Sequence, residues 1–70
     1  MKDIKIHTDY ITLGQALKLC GEVSSGIEAK IVIQEGEVLV NGEVDTRRGK
    51  KLRDGDVFEY NHHQYMIRDH

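Results

Sequence analysis

Gly36-Glu37-Val38-Leu39-Val40-Asn41-Gly42-Glu43-Val44-Asp45-Thr46 is where the chain changes its period. Glu37-Val38-Leu39-Val40 and Glu43-Val44-Asp45-Thr46 alternate in the manner of strands and flank Asn41-Gly42. Both residues of a two-residue hairpin turn need positive φ, which Asn and Gly tolerate best, so this stretch predicts a β-hairpin. Upstream the apolar residues recur at helical spacing instead. Ala29, Val32, Ile33 and Gly36 stand at i, i+3, i+4 and i+7, with Lys30 and Gln34 off that face and Ile31 partly exposed. Ser25 is placed to cap this helix with Glu28 as its capping-box partner, and Gly36 to end it in the left-handed conformation.

Further upstream, Leu13, Ala16, Leu17 and Cys20 repeat the same spacing. Thr12 and Gln15 form a capping box before them, Ile11 is placed to staple onto Ala16, and Gly21 is the natural stop. Lys18 lies off the apolar face. Residues 3–7 alternate, with Ile4 and Ile6 on one side, and predict a short half-buried strand. Downstream of the hairpin, Asp54-Gly55-Asp56 reads as a tight turn, residues 57–60 as a strand, Asn61-His62-His63 as a turn and residues 64–67 as a closing strand. The order predicts an α+β fold, a two-helix pair packed on a small, mostly antiparallel β-sheet.

Size and composition bound the function. Seventy residues allow one domain, spanning 1–70. A chain this short buries only about 60% of its unfolded surface, which leaves little free energy for strained catalytic machinery. The single cysteine, Cys20, cannot form an internal disulfide, and this points to a reducing compartment. Residues 1–10 lack the apolar core of a signal peptide, and no apolar run approaches the ~20 residues that span a bilayer. The expectation is a cytoplasmic, monomeric protein with no membrane partner. The net charge of −2 does not announce a nucleic-acid partner, so any such partner must be argued from where the positive charge sits.

It sits in Arg47-Arg48-Gly49-Lys50-Lys51-Leu52-Arg53, where five of seven residues are cationic. Their mutual repulsion would be relieved by an anionic partner, with Arg forks matching phosphate oxygens and Lys adding point charges. The plainer alternative is a solvated loop offset by Asp45, Asp54 and Asp56. Leu52 is expected to anchor the segment. Other candidate chemistry is sparse. His62 and His63 are adjacent, His7 and His70 lie near the termini, and none has the paired spacing of a zinc site. Cys20 completes an apolar stripe, where free cysteines behave as small hydrophobes. Walker, GxGxxG, GxSxG and HExxH motifs are missing, so neither an enzyme nor a cofactor is expected.

On these residues the chain resembles the S-four-like RNA-binding domain, also called the alpha-L motif. The resemblance covers residues 11–60. It rests on Leu13-Gly14-Gln15-Ala16-Leu17-Lys18, Glu28-Ala29-Lys30, the run from Gly36 to Gly42, the basic segment and Gly55-Asp56-Val57. Residues 26–52 look most like short stand-alone bacterial members of the YaaA and YbcJ kind. The resemblance implies a non-catalytic module whose two helices and basic loop form one face for structured RNA, ribosomal RNA above all. Position by position it assigns Arg47, Arg48, Lys50, Lys51 and Arg53 to that loop and Lys18 and Lys30 to the helices, with support from helix N-termini. Gln15 stands where many members carry lysine. Thr12-Leu13-Gly14 replaces their Arg-Leu-Asp, and Ser24-Ser25-Gly26 lacks their arginine. The alternative is a protein-interaction adaptor in ribosome assembly or replication, with Glu22, Glu37, Glu43 and Asp45 as the contact and a protein as partner.

Overall fold

Local signals place the two helices. In the computed structural model, which describes residues 1–69, Thr12 caps α1 (Leu13–Leu19) with both halves of the capping box made. The Gln15 amide donates to Thr12 Oγ1 at 3.3 Å, and the Thr12 amide to Gln15 Oε1 at 3.1 Å. Gly21, with φ +82°, turns the chain out of the helix. Ser25 caps α2 (Gly26–Gln34) by accepting from the Glu28 amide at 3.1 Å. The expected return bond goes elsewhere. Glu28 Oε1 reaches past Ser25 to Ser24, accepting from its amide at 2.7 Å and its hydroxyl at 3.3 Å. Ser24 offers two donors at one position, and the carboxylate takes both. His70 lies outside the described residues.

The strands are β1 (Lys2–Lys5), β2 (Ile11–Thr12), β3 (Val38–Val40), β4 (Glu43–Val44), β5 (Lys51–Leu52), β6 (Val57–Tyr60) and β7 (His63–Arg68). Five of them form a sheet in the order β1-β7-β6-β3-β4, in which β1 runs parallel to β7 and the other pairs are antiparallel. The predicted α+β class with a helix pair on a mostly antiparallel sheet is the observed architecture. Asn41 (φ 51°) and Gly42 (φ 87°) both adopt the left-handed conformation expected of the β3–β4 turn. Asn61 and His62 make a second such turn, so His63 belongs to β7 rather than to the turn. The first strand starts one residue earlier than its alternation suggests and ends at Lys5, although Ile6 extends it with a bond to the Arg68 carbonyl. β4 stops at Val44, two residues short of the predicted run.

Ile11 and Thr12 pair antiparallel with Leu52 and Lys51 to make a separate two-stranded sheet, β2–β5. Strands of two residues are too short to show a period.

The helices and the large sheet close over one contiguous core. Leu13, Ala16 and Leu17 come from α1, and Ala29, Val32 and Ile33 from α2. They meet Val38, Val40, Phe58, Tyr65 and Ile67 of the sheet. Phe58 and Tyr65 are cross-strand partners, and their rings stack at 5.1 Å. Each fully buried Leu, Ile or Phe contributes roughly 1.5–3 kcal/mol relative to exposure. Leu52 joins this core with no exposed surface, so the basic segment is pinned at its far end.

Candidate nucleic-acid interface

The basic segment is held at its near end too, by main-chain bonds to the first turn of α1. The Leu13 amide donates to the Lys50 carbonyl at 2.8 Å and the Gly14 amide to the Arg48 carbonyl at 3.0 Å. Within the segment, the Lys50 amide donates to the Arg47 carbonyl at 3.1 Å. Arg48 therefore crosses α1 at Gly14 so closely that a Cβ there would stand 2.7 Å from Arg48 Cγ. A shallow groove opens beside this crossing. Thr12, Gln15, Lys18, Gly26, Arg48 and Gly49 line it. Lys18 stands one helical turn after Gly14, and Lys30 one turn after Gly26 on the same face of α2. Both are exposed. Arg48 and Lys18 thus share the groove, whose lining from α2 is Gly26, one turn before Lys30.

The other cations of the segment face elsewhere. Arg47 grips Asp45, with Nε–Oδ1 at 3.1 Å, Nη2–Oδ2 at 2.8 Å and its amide on Oδ1 at 2.9 Å. The hydrogen bond from Arg47 is the main reason the Asp45 carboxyl is held below its ordinary range. Arg47 and Lys50 line one shallow depression next to the β3–β4 hairpin. Lys51 and Arg53 lie on the outer face of β2–β5, against the ring of Tyr10, with Lys51 Nζ 4.9 Å and Arg53 Cζ 5.6 Å from its centroid. The structure brings the seven predicted residues into three neighbouring groups rather than one patch. Sequence reasoning missed Gly14 and Tyr10 as residues that set where the cations point, and took Asp45 only as an offsetting charge of the loop. A motif search has no signal for Gly14 or Tyr10, because each acts across a non-local contact, whereas Asp45 lies only two residues from Arg47.

The expectation that helix N-termini support anion binding is corrected at α1. At α1 the amides of residues 13, 14 and 15 are already bonded to Lys50, Arg48 and Thr12, so they are not free for a phosphate. At α2 the Glu28 carboxylate occupies the start of the helix, where an anion would otherwise be favoured.

Two of the four acidic residues named for a protein contact are engaged internally. Asp45 holds Arg47. Glu22 Oε2 accepts from the Tyr65 hydroxyl and pairs with His63 Nδ1 at 2.6 Å. The Tyr65 hydroxyl, and then His63, hold the Glu22 carboxyl below its ordinary range, while the bond to Glu22 and burial push the Tyr65 hydroxyl up. Cys20 is half-buried and its thiol is pushed up, chiefly by burial, opposite to the direction that makes a reactive thiolate. Among the described residues, no group of three or more His, Cys, Asp or Glu is placed to hold a metal, and no helix is long and apolar enough to cross a membrane.

A family model described as "S4 domain" matches residues 4–68. The match runs from within β1 to the end of β7, beyond the residues 11–60 that the resemblance covers. A Bacillus subtilis protein named "Probable ribosome maturation protein RlbA" is 57% identical over 56 residues, 80% of this chain and 79% of its own length. An Escherichia coli protein named "Putative RNA-binding protein YbcJ" is 38% identical over 58 residues, 83% of each chain.

Proposed function

This chain belongs to the S4 domain family, and from that premise we propose that it is a non-catalytic RNA-binding module that docks on structured RNA, ribosomal RNA in particular. The whole chain, residues 1–70, acts as one domain, as a monomer in the cytoplasm. The reading is carried by the crossing at Gly14, where Arg48 is fixed beside Lys18 on a groove that both helices border. Arg48 supplies a fork for phosphate oxygens, Lys18 and Lys30 add point charges, and Arg47, Lys50, Lys51 and Arg53 extend the positive surface on either side. Such a surface reads the shape and backbone of folded RNA, because the deep groove of A-form RNA is closed to side chains. The names of two relatives, which speak of RNA binding and ribosome maturation, support the same target.

Charge reversal tests the site. Lys18 and Arg48 are both exposed, so Lys18→Glu with Arg48→Glu is expected to leave the melting temperature unchanged. Affinity for folded ribosomal RNA fragments at low salt is expected to fall at least about tenfold, as phosphate contacts are lost. A folded double variant that binds as tightly as the wild type would remove this groove from the interface.

A further inference from the structure

The outer face of the small sheet carries an aromatic ring between two cations. The β2–β5 register pairs Ile11 with Leu52 and Thr12 with Lys51. Continued by one position, it sets Tyr10 opposite Arg53 and diagonal to Lys51. Leu52 points into the core, so Lys51 and Arg53, one position to either side, point outward with Tyr10. Opposite and diagonal neighbours in an antiparallel pair are within reach of long side chains, and the ring distances of 4.9 and 5.6 Å agree. Tyr10 remains 39% exposed, so core filling does not account for its ring. Thr8 Oγ1 donates to the Tyr10 carbonyl at 2.7 Å, which fixes the backbone just before the strand. Two like charges on one strand face repel each other, whereas the ring quadrupole attracts both.

We infer that Tyr10 is a positioning residue of the RNA surface, whose ring holds Lys51 and Arg53 together and presents them as a fixed pair to RNA phosphates. The inference rests on the RNA-binding reading above and adds to it a residue that carries no charge. Lysine and arginine side chains lose rotamer freedom on binding, and a pair already ordered by the ring loses less. Tyr10 acts through its two partners, so its effect should vanish when they are gone.

A double-mutant cycle on the purified full chain, binding a folded ribosomal RNA fragment at low salt, reads this directly. Tyr10→Leu is expected to weaken binding by about three- to tenfold without moving the melting temperature. Tyr10→Phe keeps the ring and should bind as the wild type. In a Lys51→Ala, Arg53→Ala background, Tyr10→Leu should change affinity no further. Wild-type affinity in Tyr10→Leu overturns the inference. So does an equal loss in the background without the cations, which would mean that the ring touches RNA itself. A wild-type chain that binds no RNA overturns the functional reading, and the inference with it.

Discussion

Gly14 has no room for a side chain, and the reason is Arg48. A Cβ at position 14 would stand 2.7 Å from Arg48 Cγ and 3.6 Å from the Arg48 carbonyl oxygen. The position therefore trades helix propensity for a close crossing that fixes where one arginine points. Gly14→Ala separates the two effects. Alanine gains about 1 kcal/mol of helix propensity, and pushing Arg48 off its rotamer costs about 0.5–1.5 kcal/mol. The folded state should keep its stability to within about 1 kcal/mol, while RNA affinity drops several-fold because Arg48 is displaced from the groove. Denaturant melts and RNA titration on the same sample check both halves, and unchanged affinity would mean that the seat of Arg48 does not matter. The charge of Arg48 is legible in the sequence, but its placement is not. Gly14 reads there as a departure from an aspartate, and its function appears only with the Arg48 carbonyl across from it. Arg47 is similar. Its sequence shows a cation in a basic run with Asp45 among the charges that offset it, but not that its guanidinium is bidentate on that carboxylate two residues back.

Elements set by neighbouring residues were the ones the sequence could disclose. The caps at Thr12 and Ser25, the stop at Gly36 and the Asn41-Gly42 turn each depend on a few consecutive residues. The β2–β5 pair, by contrast, joins residues about forty apart through two positions per strand, and the parallel pairing of β1 with β7 joins the two ends of the chain. The bond from the connection between α1 and α2 to β7 was equally hidden, since Glu22, His63 and Tyr65 share no motif. That tie predicts a pH dependence. Glu22 and Asp45 have carboxyls lowered in the folded state, Glu22 mainly by the Tyr65 hydroxyl and Asp45 mainly by Arg47. A carboxyl lowered on folding adds stability above its ordinary value of about 4 and loses it as pH falls through the lowered value. Thermal melts should therefore show stability falling as pH drops from about 5 towards 2, and falling less steeply in Glu22→Gln. Glu22→Ala, which strips the Tyr65 hydroxyl of its partner, should cost about 1–3 kcal/mol at neutral pH and leave RNA affinity unchanged. Equal pH slopes in wild type and Glu22→Gln would show that this carboxylate is not the group that titrates.

Across the whole molecule, a net charge of −2 coexists with a segment in which five of seven residues are positive. The fold does not pool these charges. It sets Arg48 on the groove between the helices, Arg47 and Lys50 beside the β3–β4 hairpin, and Lys51 and Arg53 on the small sheet. Several anchored cations facing in neighbouring directions suit a folded polyanion that curves around them better than a single small anion. Acidic residues elsewhere limit non-specific attraction, so binding should depend on the local contacts and their counterions. The most direct measurement is the affinity of the purified chain for folded ribosomal RNA fragments across a salt series, with double-stranded DNA as the control. The account predicts preference for RNA and a log–log slope of about −3 to −6, as several lysines and arginines displace counterions. No binding at low salt, or equal binding to the DNA duplex, would contradict it.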